Sequence, residues 1–185
     1  RPPRDGREWP TIELFTHDEI DEEVLSNLDH AWGAVPKGIW PVTREQALIR
    51  LNEFIYGALP IFGPYEDAML NKEWKLAHSV LSSSLNIGLL HPAEVVAAAE
   101  SAYQNGNAPI NSVEGFIRQV IGWREYVWGL YWLWMPDYRD ANYLEASREI
   151  PPAFLKKDET KMACVSGAMD HLYEYAYTHH IERLM

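Results

Sequence analysis

One cysteine, Cys164, stands among 185 residues, so no internal disulfide can form. No basic segment followed by an apolar run of signal-peptide kind is present at the start, and the two absences together predict a reducing, cytoplasmic setting. Long apolar runs are missing too. The greasiest stretch, Val120 to Met135, carries Arg124 and Glu125 and falls short of the roughly 20 residues that span a bilayer. Basic charge is scarce: 16 Lys and Arg against 27 Asp and Glu give a formal net charge of -11. That excludes a surface that binds polyanions throughout, while a local basic cleft stays open. Five of the 27 acids fall in one run, Asp18 to Glu23, of the kind that forms a solvated helix face. Strand-like alternation and long-period repeats are also absent, which predicts an all-α helical cluster and not a βαβ fold.

What the chain does contain is apolar content of 47%, enough for one domain with a core that needs no staple. Residues 1–15, with Pro2, Pro3, Gly6 and Pro10, read as a linker or arm, and residues 16–185 as the helical domain. Thr16 or Asp18 caps a first helix whose apolar face is Ile20, Val24, Leu25 and Leu28. Thr43 to Gln46 fits a capping box, followed by a helix through Leu59 that Pro60, Gly63 and Pro64 end. The patch His78 to Ser84 reads as a loop entering a short helix. His91-Pro92-Ala93-Glu94 opens another, stopping near Asn105-Gly106. Asn111-Ser112 caps the strongest helix, which runs to Pro136 with an apolar surface broad enough to be central. A last helix extends from Thr160 to Met185.

Several polar groups stand out against this background, each with two readings. Ser79, Ser82, Ser83 and Ser84 are a helix cap with solvated neighbours, or a phosphate cradle. Arg118, Gln119, Arg124 and Glu125 interrupt an apolar helix; they pair internally, or the guanidinium forks meet a ligand. Trp123, Trp128, Trp132 and Trp134 are core aromatics, or stacking and electron-hopping groups. His179 and His180 are structural, or one of them is a proton donor; adjacent helical residues diverge by about 100 degrees, so one at most faces a given pocket. No Cys, Glu or Asp at ligand spacing supports zinc there. Cys164 reads as a small buried hydrophobe.

Three segments, in this order, resemble one family. The stretches Tyr65 to Met69 and His78 to Leu90 look like the region that wraps the FAD phosphates in photolyases and cryptochromes. Asn111 to Tyr126 is similar to the family helix that passes the flavin and reaches the lesion pocket. Met162-Ala163-Cys164 and Tyr177 to Met185 resemble the branch of iron-sulfur bacterial cryptochromes and (6-4) photolyases. The resemblance covers residues 43–185 and implies a partial helical FAD-binding domain, corresponding to its first half and truncated at the C-terminus.

By that resemblance Ser79, Leu81 and Ser82 contact FAD phosphate or ribitol groups, with Tyr65 and His78 lining the same region. Gln119 and Arg124 border the flavin and substrate cavity. His180 matches the histidine that protonates or hydrogen-bonds a (6-4) photoproduct, and Arg183 the arginine that pairs with an aspartate beside the isoalloxazine. Cys164 matches one cysteine ligand of a 4Fe-4S cluster, which only a full-length parent could complete. Leu184 stands where animal-type enzymes carry a second histidine, and Ser83 replaces a common proline. The implied parent activity is light-driven electron transfer from FAD to a pyrimidine photoproduct in UV-damaged DNA, or blue-light sensing. The implied properties of this stretch alone are weak or absent FAD binding and no repair. A different class of reading is a non-enzymatic interaction module that self-associates through an uncovered apolar face.

Overall fold

Thr43 caps α2 (Arg44–Glu53) with the expected reciprocal box, its hydroxyl accepting from the Gln46 amide while the Gln46 side chain accepts from the Thr43 amide. In the computed structural model, which describes residues 6–28, 32–154 and 160–184, this helix does not end at Pro60. It passes through a π-helical turn, Phe54–Ala58, straight into α3 (Leu59–Tyr65). The expected stop fails for a local reason. Within the wider turn the Leu59 amide donates to the Phe54 carbonyl five residues back, and Pro60 lands in the first positions of α3, where a missing N–H costs nothing.

The other α-helices among the described residues are α1 (Glu19–Ser26), α4 (Ser82–Asn86), α5 (Pro92–Gln104), α6 (Ile110–Trp134) and α7 (Ala163–Tyr175). No strand occurs among the described residues, in keeping with the all-α expectation. Asp18 caps α1 in a box with Asp21, but the apolar side of α1 is not buried: Ile20, Val24 and Leu28 are all exposed. The helix is too short and acidic to pack as a core element and lies against Trp40 and Val42 at the periphery, across an open groove. α5 starts as expected, with His91 and Glu94 boxing the first turn and Pro92 inside it.

The core forms where the α2–α3 rod meets α5 and α6. Phe54, Phe62 and Phe116 pack as a triad with ring centroids 4.5 to 6.1 Å apart, backed by Leu51, Leu59, Val113 and Val120. On α5 the buried residues are Val95, Ala99 and Ala102, small enough for the helices to approach closely. Ser112 was expected to cap α6 and does not. Pro109 occupies the cap, and the Ser112 hydroxyl, fully buried one turn inside, accepts from the Gly63 amide at 2.9 Å. Gly63 allows this close approach, since a Cβ would lie 3.0 Å from the Ser112 nitrogen, tighter than ordinary contact.

The expectation that α6 is central holds for its first half only. Val113, Phe116 and Val120 are buried, whereas Trp123, Tyr126, Trp128, Trp132 and Trp134 are exposed, so the tryptophans are not core residues. The polar quartet on this helix is likewise on the surface: Arg118 pairs with Glu114 one turn back, and no member is buried.

The last helix also departs from expectation, ending at Tyr175 because Ala176 turns into the left-handed region at φ 53°. That conformation costs a non-glycine residue about 1 kcal/mol, and the surroundings hold it. Ala34 donates to the Tyr173 carbonyl, Trp40 Nε1 donates to the Tyr175 carbonyl, and Trp74 stacks on the Tyr175 ring at 4.4 Å. These bonds satisfy the end of α7 from outside the helix. Burial pushes the neighbouring Tyr177 phenol up to about 12. No helix among the described residues is long and apolar enough to cross a membrane.

The division of α6 is testable by substitution. Phe116→Ala is expected to cost about 3–5 kcal/mol of unfolding free energy, and Trp132→Ala within about 0.5 kcal/mol of nothing, both read from urea midpoints. Equal losses at the two positions would contradict the division.

Candidate functional site

Because α7 stops at Tyr175, His179 and His180 sit on a non-helical turn, and the angular argument that only one could face a given partner does not apply. Both rings reach His78. His179 stacks on it with centroids 4.6 Å apart and planes 10° from parallel, and His180 meets it edge-on at 5.2 Å.

His78 is held between two reversals of the chain, with Leu76 and Val80 on either side in left-handed conformations. Its Nδ1 lies 2.8 Å from the Lys75 carbonyl and its Nε2 3.0 Å from the Glu66 carbonyl. A neutral imidazole has one N–H and can donate to only one of them. The cation would satisfy both, yet burial opposes it and lowers the pKa to about 4, against the pull of the Lys75 carbonyl. His179 is wholly buried, and neither ring nitrogen has a hydrogen-bond partner among the described residues. Burial first, then the adjacent His78 and His180, lowers it to about 3. Both stacked rings are therefore neutral at pH 7.

His180 has a different environment. Its side chain is 41% exposed, and its Nε2 lies 3.3 Å from Asp67 Oδ1. Of the three imidazoles in contact, it alone combines access to solvent with a carboxylate partner, the arrangement suited to carrying a proton to a substrate.

The serine segment lies directly along the chain from His78. None of its hydroxyls caps α4, whose cap residue is Leu81. Ser82 is exposed, Ser79 is half-buried, and the Ser83 and Ser84 hydroxyls are buried without a partner among the described residues. The Leu81 side chain is buried in the core, so only its backbone could face a ligand. Ser79 and His78 line a recess with Arg50 and Lys75. Lys75 is buried, and desolvation, helped by Arg50, lowers its ammonium to about 8. Arg50 is engaged, donating to Glu53 and to the carbonyls of Glu13 and Ile39, which fastens the N-terminal segment to α2.

The remaining expected residues are placed less closely. Tyr65 ends α3 and packs edge-on against Trp9, with the Arg7 guanidinium over its ring. Gln119 and Arg124 are exposed on α6 and bond within that helix, Gln119 accepting from Trp123 Nε1 and Arg124 donating to the Val120 carbonyl. Arg183 is exposed and borders a cavity of about 170 Å³ with Phe154 and Met169. Cys164 is not buried as expected but exposed, at the start of α7 beside Asn71, and no cluster able to hold a metal occurs among the described residues.

Sequence reasoning overlooked Asp67, His171 and Glu182. Glu182 stands three residues beyond His179, the acidic neighbour thought absent, and its Oε1 lies 3.7 Å from His179 Nε2. It also lies 2.7 Å from His171 Nδ1. Nothing in the spacing of 171 and 182 signals that contact, because a turn creates it.

No protein-family model matches the chain. Over 180 residues, 95% of its length, the chain is 43% identical to a (6-4) photolyase of Agrobacterium fabrum, and it spans 35% of that protein. A shorter match of 68 residues, 36% of the chain, is 43% identical to an uncharacterised protein of Acanthamoeba polyphaga mimivirus and spans 52% of it.

The stacked imidazoles make stability depend on pH. Their folded values lie below the ordinary 6.5, so the unfolded chain takes up protons that the folded one refuses as pH drops below 6.5. Stability is full above that point and is expected to fall by about 2 kcal/mol per ring at pH 5. His179→Phe keeps a ring for stacking and removes one titration, so its melting temperature should fall less between pH 7 and 5. Parallel melting curves for the two proteins would show that the stack does not titrate as described.

Proposed function

We propose that this chain, which belongs to the photolyase family over the third of its relative's length that it spans, forms part of a flavin site and carries the proton-handling histidine beside it. The reading takes residues 16–185 as part of a helical FAD-binding domain. The observation that supports it best is the half-open His180, hydrogen-bonded to Asp67 and set against the buried His78 that leads into the serine segment.

The residues present suit FAD at the diphosphate end. Ser79 and Ser82 have accessible hydroxyls, the Ser83 and Ser84 hydroxyls beside them lack partners among the described residues, and the Lys75 cation lies along the recess that Ser79 lines. When bound, FAD supplies a photoexcitable electron donor. The work of this chain is then to hold phosphate through the serines, with Tyr65 and His78 behind them, and to keep water from the buried side of His78. His180 holds a proton at Nε2 toward Asp67 and can offer it to a pyrimidine (6-4) photoproduct in UV-damaged DNA. Gln119, Arg124 and Arg183 serve the flavin and substrate side. Cys164 would be a ligand of an iron-sulfur cluster only alongside further cysteines, which this chain does not contain. A full-length parent of this kind repairs such lesions in light or senses blue light; the stretch by itself is inactive and binds FAD weakly.

A titration of FAD into the chain, followed by flavin fluorescence anisotropy and melting temperature, tests this. The expected result is a weak, saturable response that Ser79→Ala with Ser82→Ala abolishes. No response at all would remove the flavin reading, and a tight one-to-one complex would show that the stretch is sufficient alone.

The exposed aromatic half of α6 favours a second reading, self-association of this chain. Light scattering is expected to report a dimer or larger species, and Trp128→Glu with Trp132→Glu a monomer. A wild-type monomer would dismiss it.

A further inference from the structure

Glu182 is a carboxylate in the interior. Its side chain is 3% exposed, and its Oε2 has no hydrogen-bond partner among the described residues. Taking a carboxylate out of water is costly unless a partner compensates, and here the compensation comes from one strong bond to His171 on α7. Oε1, the oxygen bonded to His171, stands 3.7 Å from His179 Nε2, beyond hydrogen-bond range but close enough to favour the tautomer with its proton on that nitrogen. Glu182 thus joins three pieces of chain: the buried face of α7, the turn bearing the two histidines, and the closing 3-10 turn Glu182–Leu184 to which it belongs.

The geometry has a directional consequence. Residues 171 and 182 are clamped together, and the chain between them reverses at Ala176. With His179 pressed flat against His78 on the inside, its neighbour His180 is turned outward, edge-on to His78 and toward Asp67. Release of the clamp frees the His179 ring, and the orientation of His180 is lost with it.

We propose that Glu182, anchored by His171, is the positioning residue for His180. It touches neither Asp67 nor the outer face of His180; it acts through His179, by fixing the plane and tautomer of that ring. The proposal deepens the reading of His180 as the proton-handling group and rests on it for its functional meaning, while its physical content is a contact network that needs neither flavin nor DNA.

Nuclear magnetic resonance of the histidine side chains in the full chain provides the test. Three observables are needed: the ring-to-ring Overhauser contact between His78 and His180, the ring-nitrogen shifts of His180, and their response to Asp67→Asn. In the wild-type chain the contact is present and Asp67→Asn moves the His180 signals. In Glu182→Gln the contact is expected to disappear and the response to Asp67→Asn to vanish, with helical circular dichroism retained; Glu182→Asp should restore part of both. A Glu182→Gln protein that folds and keeps the contact and the response overturns the proposal. Should that variant fail to fold, His171→Gln and His171→Phe decide, since the first keeps a donor for Glu182 and the second keeps only a ring. Loss of the contact in the phenylalanine variant alone supports the clamp, and identical behaviour of the two overturns it. Failure of FAD to bind, with this pattern intact, would remove the functional reading and leave the positioning role standing.

Discussion

The left-handed turn at Ala176 governs the arrangement of this site. An alanine adopts it only because the end of α7 is satisfied from outside: Ala34 and Trp40 take its last carbonyls, and Trp74 covers Tyr175. Had α7 continued, His179 and His180 would lie on different sides of a rod, and no pair of them could meet His78. The reversal instead delivers one imidazole to the interior and one to the surface, from consecutive residues. Electrostatics then separates them. The inner ring is stripped of water and neutral, whereas the outer ring keeps solvent and a carboxylate.

That separation links packing to the proposed chemistry. A proton-handling group needs a reachable nitrogen and a defined direction. His180 has the first through its exposure and the second through its neighbours, His78 and Asp67. The cost is borne by buried polar atoms: two His179 nitrogens, a Glu182 oxygen and one mismatched contact at His78. Native interiors tolerate few such atoms, and three of those among the described residues fall on the single turn from His179 to Glu182.

Local signals in the sequence identified what is local. The reciprocal boxes at Thr43 and His91, the short helix that the serine segment enters and the helical class itself all follow from residues within a turn of one another. Pro60 misled because the π-helical turn before it depends on hydrogen bonds that composition does not encode. Ala176 gave no warning, lacking the glycine or asparagine that usually marks such a turn. Helical spacing showed that α6 has apolar sides, but spacing cannot report what packs against them, and beyond Val120 little does. The histidines were legible as candidates; their sorting into stacked and open rings, and the Glu182–His171 contact that orders them, arise from the turn. Gln119 and Arg124 were marked by polarity in an apolar helix, and their own helix satisfies them.

The exposed end of α6 also shapes how the molecule behaves optically. Five of the eight tryptophans, Trp32, Trp123, Trp128, Trp132 and Trp134, are at least half exposed already in the folded state. Their indole emission is set by water and changes little when the core opens. The spectral signal of unfolding therefore falls to Trp9, Trp40 and Trp74, and Trp40 and Trp74 belong to the aromatic group that secures the end of α7. Fluorescence of this protein is in effect a gauge of that junction, blind to much of the rest.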